Sequence, residues 1–140
     1  MDKLENKCVI VADEELPAGV LANTAVILGM TLGKCIPECI GEDVTDGSGC
    51  IHKGITTVSI PILKGSKAFL QNLRSKLYTS AFSDILVVDF SDVAQGCTTY
   101  NNYISRAGAI VETDYSYLGI AIYGSRKKVN TLTGSLPLLR

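Results

Sequence analysis

Apolar and polar positions follow two different spacings along this chain. Residues 7–12 (K-C-V-I-V-A) form a β-branched apolar run bounded by charge, the pattern of a central strand covered on both faces. Residues 16–33 carry no charge and predict a helix. Val20, Thr24, Ile27 and Thr31 share one of its faces, and Leu21, Ala25, Leu28 and Leu32 share the next. Such a helix is apolar nearly all round and belongs between layers or in a subunit interface. Pro17 suits its first turn, Glu14 and Glu15 lie where its dipole favours anions, and Gly33 ends it.

Residues 41–54 are rich in turn formers, with Asp46-Gly47 as a hairpin tip. A strand is expected over residues 56–63, pushed toward a sheet edge or a bulge by Pro61. Ser66 caps a helix that turns Phe69, Leu70, Leu73 and Leu77 to the core. Residues 85–88 (I-L-V-V) read as a second buried strand. Thr98 or Thr99 caps the next helix, whose Tyr100, Tyr103, Ile104 and Ala107 form a core face and which Gly108 stops. Residues 118–123 make another strand, Ser125 opens a last helix that Gly134 closes, and residues 136–138 add a short strand. Strands alternating with helices predict an α/β layered sheet in one domain over residues 1–140, with no repeat or linker.

Composition narrows this further. With 46% hydrophobic and 19% charged residues, the chain is neither a disordered tail nor a fibrous repeat. A net charge of −1 argues against a general nucleic-acid coat. The start, Met1-Asp-Lys-Leu-Glu-Asn-Lys, alternates charges without an apolar core, so no secretory signal is expected. The five cysteines are then expected as reduced thiols in a cytoplasmic protein. The uncharged 16–33 stretch would reach about 27 Å as a helix, short of the roughly 30 Å hydrocarbon core, so no membrane span is expected.

Candidate chemistry is sparse. Neither a dinucleotide nor a P-loop glycine pattern occurs, and no cofactor is expected. His52 is the single histidine, which excludes a two-histidine metal site. Cys35, Cys39, Cys50 and His52 are zinc-type ligands in one segment, but the Cys50-x-His52 half fits no standard finger. Buried thiols and a hairpin explain the same residues, so no metal is assigned. Cys97 precedes a helix start, where a thiol can be activated, but a small buried cysteine is the simpler reading. Asp13, Glu14 and Glu15 follow the first strand, where open α/β sheets bind ligands; they fit acid–base work, Mg²⁺ or a solvated turn. Asn23 is an amide in the most apolar helix; it either bonds backbone or faces a pocket. Ser125, Arg126, Lys127 and Lys128 put cations at a helix start, opposing the dipole, which a bound anion would relieve. A solvated basic turn is the other reading.

Three stretches together resemble a known group. K-C-V-I-V-A-D-E-E-L at 7–16 running into A-N-T-A-V-I-L-G at 22–29 resembles the first strand and helix of type 2 peptidyl-tRNA hydrolases. Y-L-G-I-A-I-Y-G at 117–124 and L-T-G-S-L-P-L at 132–138 resemble their ending, and R-A-G at 106–108 falls where they carry D-A-G. The middle, G-E-D-V-T-D-G-S-G-C-I-H-K-G-I and S-I-P-I-L-K-G, is similar to a sister family of undefined function in the same superfamily. The resemblance implies a three-layer fold, a mixed sheet of about four strands with helices on both faces, and a homodimer. It does not carry the activity across. Val20 stands where the hydrolases have lysine, Thr24 and Ile27 replace a glutamine and a histidine, and Arg106 replaces the aspartate. Ester hydrolysis needs a positioned water and an oxyanion partner, which those replacements remove. The expectation is a relative that binds a small molecule in the inherited crevice, lined by Asp13, Glu14, Glu15, Asn23, Thr98, Thr99 and Arg106. The alternatives are a hydrolase of peptidyl-tRNA or a related ester, and RNA or phosphate binding through the basic start of the last helix.

Overall fold

The computed structural model describes residues 5–140. Residues 1–4 of the charged start lie outside the described residues. Strand β1 (Asn6–Asp13) leads into helix α1 (Ala18–Cys35), a hairpin of β2 (Val44–Thr45) and β3 (Ile51–His52), and strand β4 (Ile62–Gly65). Helix α2 (Lys67–Leu77), strand β5 (Leu86–Ser91), helices α3 (Asp92–Gln95) and α4 (Tyr100–Ala109), strand β6 (Tyr117–Ser125) and helix α5 (Arg126–Thr133) complete the order.

Four strands form a mixed sheet in the order β4-β1-β6-β5. β1 runs parallel to β4 and antiparallel to β6, and β5 runs antiparallel to β6. The two central strands are the longest apolar runs because helices cover both their faces. Val9, Val11, Ile120 and Ile122 point one way, onto Leu70, Leu73 and Leu77 of α2 and Val129 and Leu132 of α5. Cys8, Ile10, Leu118 and Ala121 point the other way, onto Leu28 and Leu32 of α1. The result is three layers: α1, the sheet, then α2 with α5.

Gly119 fixes how closely α1 approaches. A Cβ built there would lie 2.7 Å from Thr24 Cγ2 and 3.1 Å from Leu28 Cδ1. Thr24 meets this contact with its methyl while its hydroxyl donates to the Val20 carbonyl at 2.8 Å. The three serine or threonine caps predicted from sequence form: Ser66 accepts from Phe69 N, Thr99 from Asn102 N and Ser125 from Lys128 N. The Asp46 tip also forms, with Gly49 in the left-handed region at φ 85.

Several expectations need correction. α1 passes Gly33 and stops at Cys35, where Ile36 N donates to Leu32 O. Only Thr24, Leu28 and Leu32 of α1 are buried, whereas Val26 and Met30 are 67% and 81% exposed, so one stripe packs and the opposite one faces solvent. The 56–63 strand shrinks to β4, beginning after Pro61. Pro61 has no N–H to give, but its carbonyl accepts from Ile10 N at 3.0 Å. β5 lies at the sheet edge and is half-buried over most of its length. α4 runs through Gly108 to Ala109 and buries none of its residues, so the expected core face is absent; Tyr100 and Ile104 stand in solvent. Residues 136–138 form a single bridge, Leu138 to Leu63, which covers the outer edge of β4.

Candidate functional site

Among the described residues no strand pairs with the outer edge of β5. Helix α4 stands off it, because the short α3 and its following turn carry the chain outward before α4 begins. Two hollows result, meeting at Asp89.

The larger, about 490 Å³, lies between α1 and β5. Ile27, Val88, Phe90 and Ala94 give it apolar walls. Thr31, Thr98, Thr99 and Tyr103 bring polar atoms, and Asp89 lines the floor while its carboxylate turns to the opposite face to meet Arg74. Cys97 also lines it; its thiol donates to the Val93 carbonyl at 3.1 Å and lies 3.8 Å from Arg106 Nη1. Arg106 reaches back across the α3–α4 turn, and a side chain at Gly96 would meet its guanidinium at 2.8 Å.

The smaller hollow, about 270 Å³, opens toward α2. Tyr78, Asp89, Glu112, Tyr115 and Tyr117 line it. Asp89 Oδ2 accepts from Arg74 Nε at 2.9 Å, and that guanidinium stacks 4.0 Å above the Tyr78 ring. Tyr117 donates to Glu112 Oε2 at 2.6 Å. Burial, the bond to Glu112 and the charge of Asp89 together push the Tyr117 phenol well above its usual range. Burial first and Asp89 second raise Tyr103 as well.

The sequence-predicted residues divide. Thr98 and Thr99 line the larger hollow, and Arg106 touches its wall through Cys97. Asn23 is exposed on the stripe that continues through Ile27 and Thr31, so the expected cost of burying its amide does not arise. Asp13, Glu14 and Glu15 form a turn in which Asp13 Oδ1 accepts from Glu15 N at 3.0 Å and Glu14 N donates to Gly65 O at 3.0 Å. None of the three lines either hollow. Asp89, Glu112 and Tyr117 were not among the expected site residues. Their one sequence signal is a charge at Asp89 within the apolar run I-L-V-V-D-F.

At the other end of β6, Ser125 caps α5 and Lys128 pairs with Asp84 at 2.8 Å, so the Lys128 charge and its backbone N–H already have partners. Arg126 lines a third hollow, about 310 Å³, with Lys7. Among the described residues no three His, Cys, Asp or Glu side chains gather as a metal site. Cys35 and Cys50 are exposed, Cys39 is buried with its Sγ 3.8 Å from the Tyr123 hydroxyl, and His52 binds Asp46 at 2.8 Å. Among the described residues α1 is the one helix long and apolar enough to cross a membrane, yet it packs as a layer on the sheet.

These features define a three-layer α/β protein with a four-stranded mixed sheet and hollows along one sheet edge. Residues 6–140 match the DUF2000 family, described as proteins of unknown function, and the chain belongs to that family. A solved structure of a protein of unknown function from Agrobacterium tumefaciens strain C58 has the same fold. Its TM-score is 0.85 at 16% identity, over 96% of this chain and 97% of that one. No curated protein matches the chain.

Proposed function

We propose that this protein binds a small, mainly apolar molecule bearing hydroxyl or amine groups in the hollow between α1 and β5. The supporting observation is the hollow itself, about 490 Å³, within the usual size of ligand pockets. Apolar walls favour burial of a hydrocarbon part. The hydroxyls of Thr31, Thr98 and Thr99 suit hydrogen-bonding groups on the ligand. A thermal-shift screen of nucleotides, amino acids and amino alcohols tests this reading. A hit should raise the melting temperature of the native chain and have no effect on Thr31→Trp, whose indole would obstruct the hollow. Indifference to every compound would sink it.

The peptidyl-tRNA hydrolase type 2-like ancestry belongs to this proposal. Its supporting motifs fall on β1 with α1 and on β6 with α5, the pairs that build the centre of the fold. Hydrolysis is not part of the reading, since Val20 and Arg106 stand at the family's lysine and aspartate. Turnover of labelled peptidyl-tRNA by purified protein would overturn that exclusion. A cytoplasmic, homodimeric state completes the proposal. The exposed apolar stripe of α1, with Val26 and Met30 at its crest, supports pairing with a second copy. Antiparallel pairing of the two α1 helices aligns their dipoles favourably and carries Lys34 of each toward the Glu14 and Glu15 end of the other. Sedimentation should give a dimer, and Met30→Glu a monomer.

A further inference from the structure

We propose that the smaller hollow, bounded by Tyr78, Asp89, Glu112, Tyr115 and Tyr117, is a binding site for an organic cation, an alkylammonium or guanidinium group. Three aromatic rings and two carboxylates converge there from three separate parts of the chain: the end of α2, strand β5, and the turn into β6. Ring faces attract cations, and desolvated carboxylates strengthen that preference. The protein's own Arg74 illustrates the recognition. Its guanidinium takes the Asp89 carboxylate at 2.9 Å and the Tyr78 face at 4.0 Å. That leaves Glu112, which accepts from the Tyr117 hydroxyl at 2.6 Å and forms no ion pair among the described residues. Tyr115 and Tyr117 stand 6.2 Å apart at 41°, two walls of an open cage beside that free charge. Burial first, then the bond to Glu112 and the charge of Asp89, disfavour a phenolate on Tyr117, so its hydroxyl stays a donor to Glu112. A ligand cation fits the Glu112 carboxylate and the two rings, whereas an anion would meet that carboxylate.

The inference is independent of the larger hollow. The test is an NMR titration of the full chain, reading the tyrosine ring signals, with n-butylammonium chloride and tetramethylammonium chloride against neutral n-butanol. The cations should shift Tyr115 and Tyr117 saturably at millimolar concentration, and n-butanol should not. Glu112→Gln keeps an acceptor for Tyr117 and should weaken the cations about fivefold or more. Added salt should weaken cation binding in the unmodified protein, a readout that needs no variant to fold. Thr31→Trp should leave it unchanged, which separates this site from the larger hollow. Equal response to n-butanol, salt-independent binding, or no saturable shift overturns the proposal.

Discussion

Replacing Gly119 with alanine puts a methyl group into the tightest contact between α1 and the sheet. The added carbon would sit 2.7 Å from Thr24 Cγ2, 3.1 Å from Leu28 Cδ1 and 3.4 Å from the Val11 carbonyl oxygen. Thr24, Leu28 and Val11 are each fully buried, so none can swing away into solvent. Relief requires α1 to lift off the sheet, an overpacking cost of about 1–3 kcal/mol. For a chain of this size that lowers the melting temperature by about 3–10 °C. Thr24→Ser supplies the control, because it removes Cγ2 and keeps the hydroxyl that donates to Val20. Alone it leaves a methyl-sized void costing about 1 kcal/mol. Combined with Gly119→Ala it should recover at least about 1 kcal/mol relative to the sum of the single changes. Urea denaturation of the four proteins measures this. A Gly119→Ala variant as stable as the parent, or additive losses in the double variant, would refute the packing argument. The same displacement moves Ile27 and Thr31, so Gly119→Ala should also weaken ligands of the larger hollow.

Other consequences follow from charge and burial. Burial, reinforced by nearby Cys39, pushes the Cys8 thiol from 9.0 up to about 11. Its folded pKa is raised, so its contribution is complete below pH 9 and declines as pH rises from 9 to 11, where the unfolded chain has lost the proton and the folded one retains it. Cys8→Ala should flatten that limb of a pH–stability profile; an unchanged limb contradicts the assignment. Binding of RNA through the start of α5 predicts an affinity that falls steeply with salt. Lys128 is already paired with Asp84, so neutralising Arg126 and Lys127 should abolish any such binding, and retained affinity excludes that surface.

The elements legible from sequence are those set by local chemistry. The β1 and β6 runs read as central strands because they are buried on both sides, and Ser66, Thr99 and Ser125 read as caps because a hydroxyl satisfies a nearby N–H. The errors arise where tertiary position decides. Residues 56–60 have strand-like composition but only one bridge, Thr56 to Ile40, because the chain joins β1 only after Pro61. α4 has an apolar stripe, yet the turn after α3 holds it away from the sheet. α1 is apolar all round, but the fold uses one stripe and leaves Val26 and Met30 outside.

The site was partly legible for the same reason. Thr98 and Thr99 lie at a helix start, which the sequence marks, and they do line the larger hollow. Asp13, Glu14 and Glu15 share the strand-end position expected of a crevice, but their turn leads away from the β5 edge. Asp89, Glu112 and Tyr117 are joined only by the β5–β6 ladder and the turn before it. No spacing pattern along the chain connects them, and a single charge inside an apolar strand was the one visible trace.

The central claim is that the β5 edge beneath α1 and α4 receives a small molecule. Methyl NMR of the native chain, recorded with each hit from a thermal-shift screen, tests it most directly. The account predicts saturable shifts at Ile27, Val88 and Ala94 that disappear in Thr31→Trp. Shifts centred on any other part of the fold, or hits that bind Thr31→Trp equally well, would contradict it.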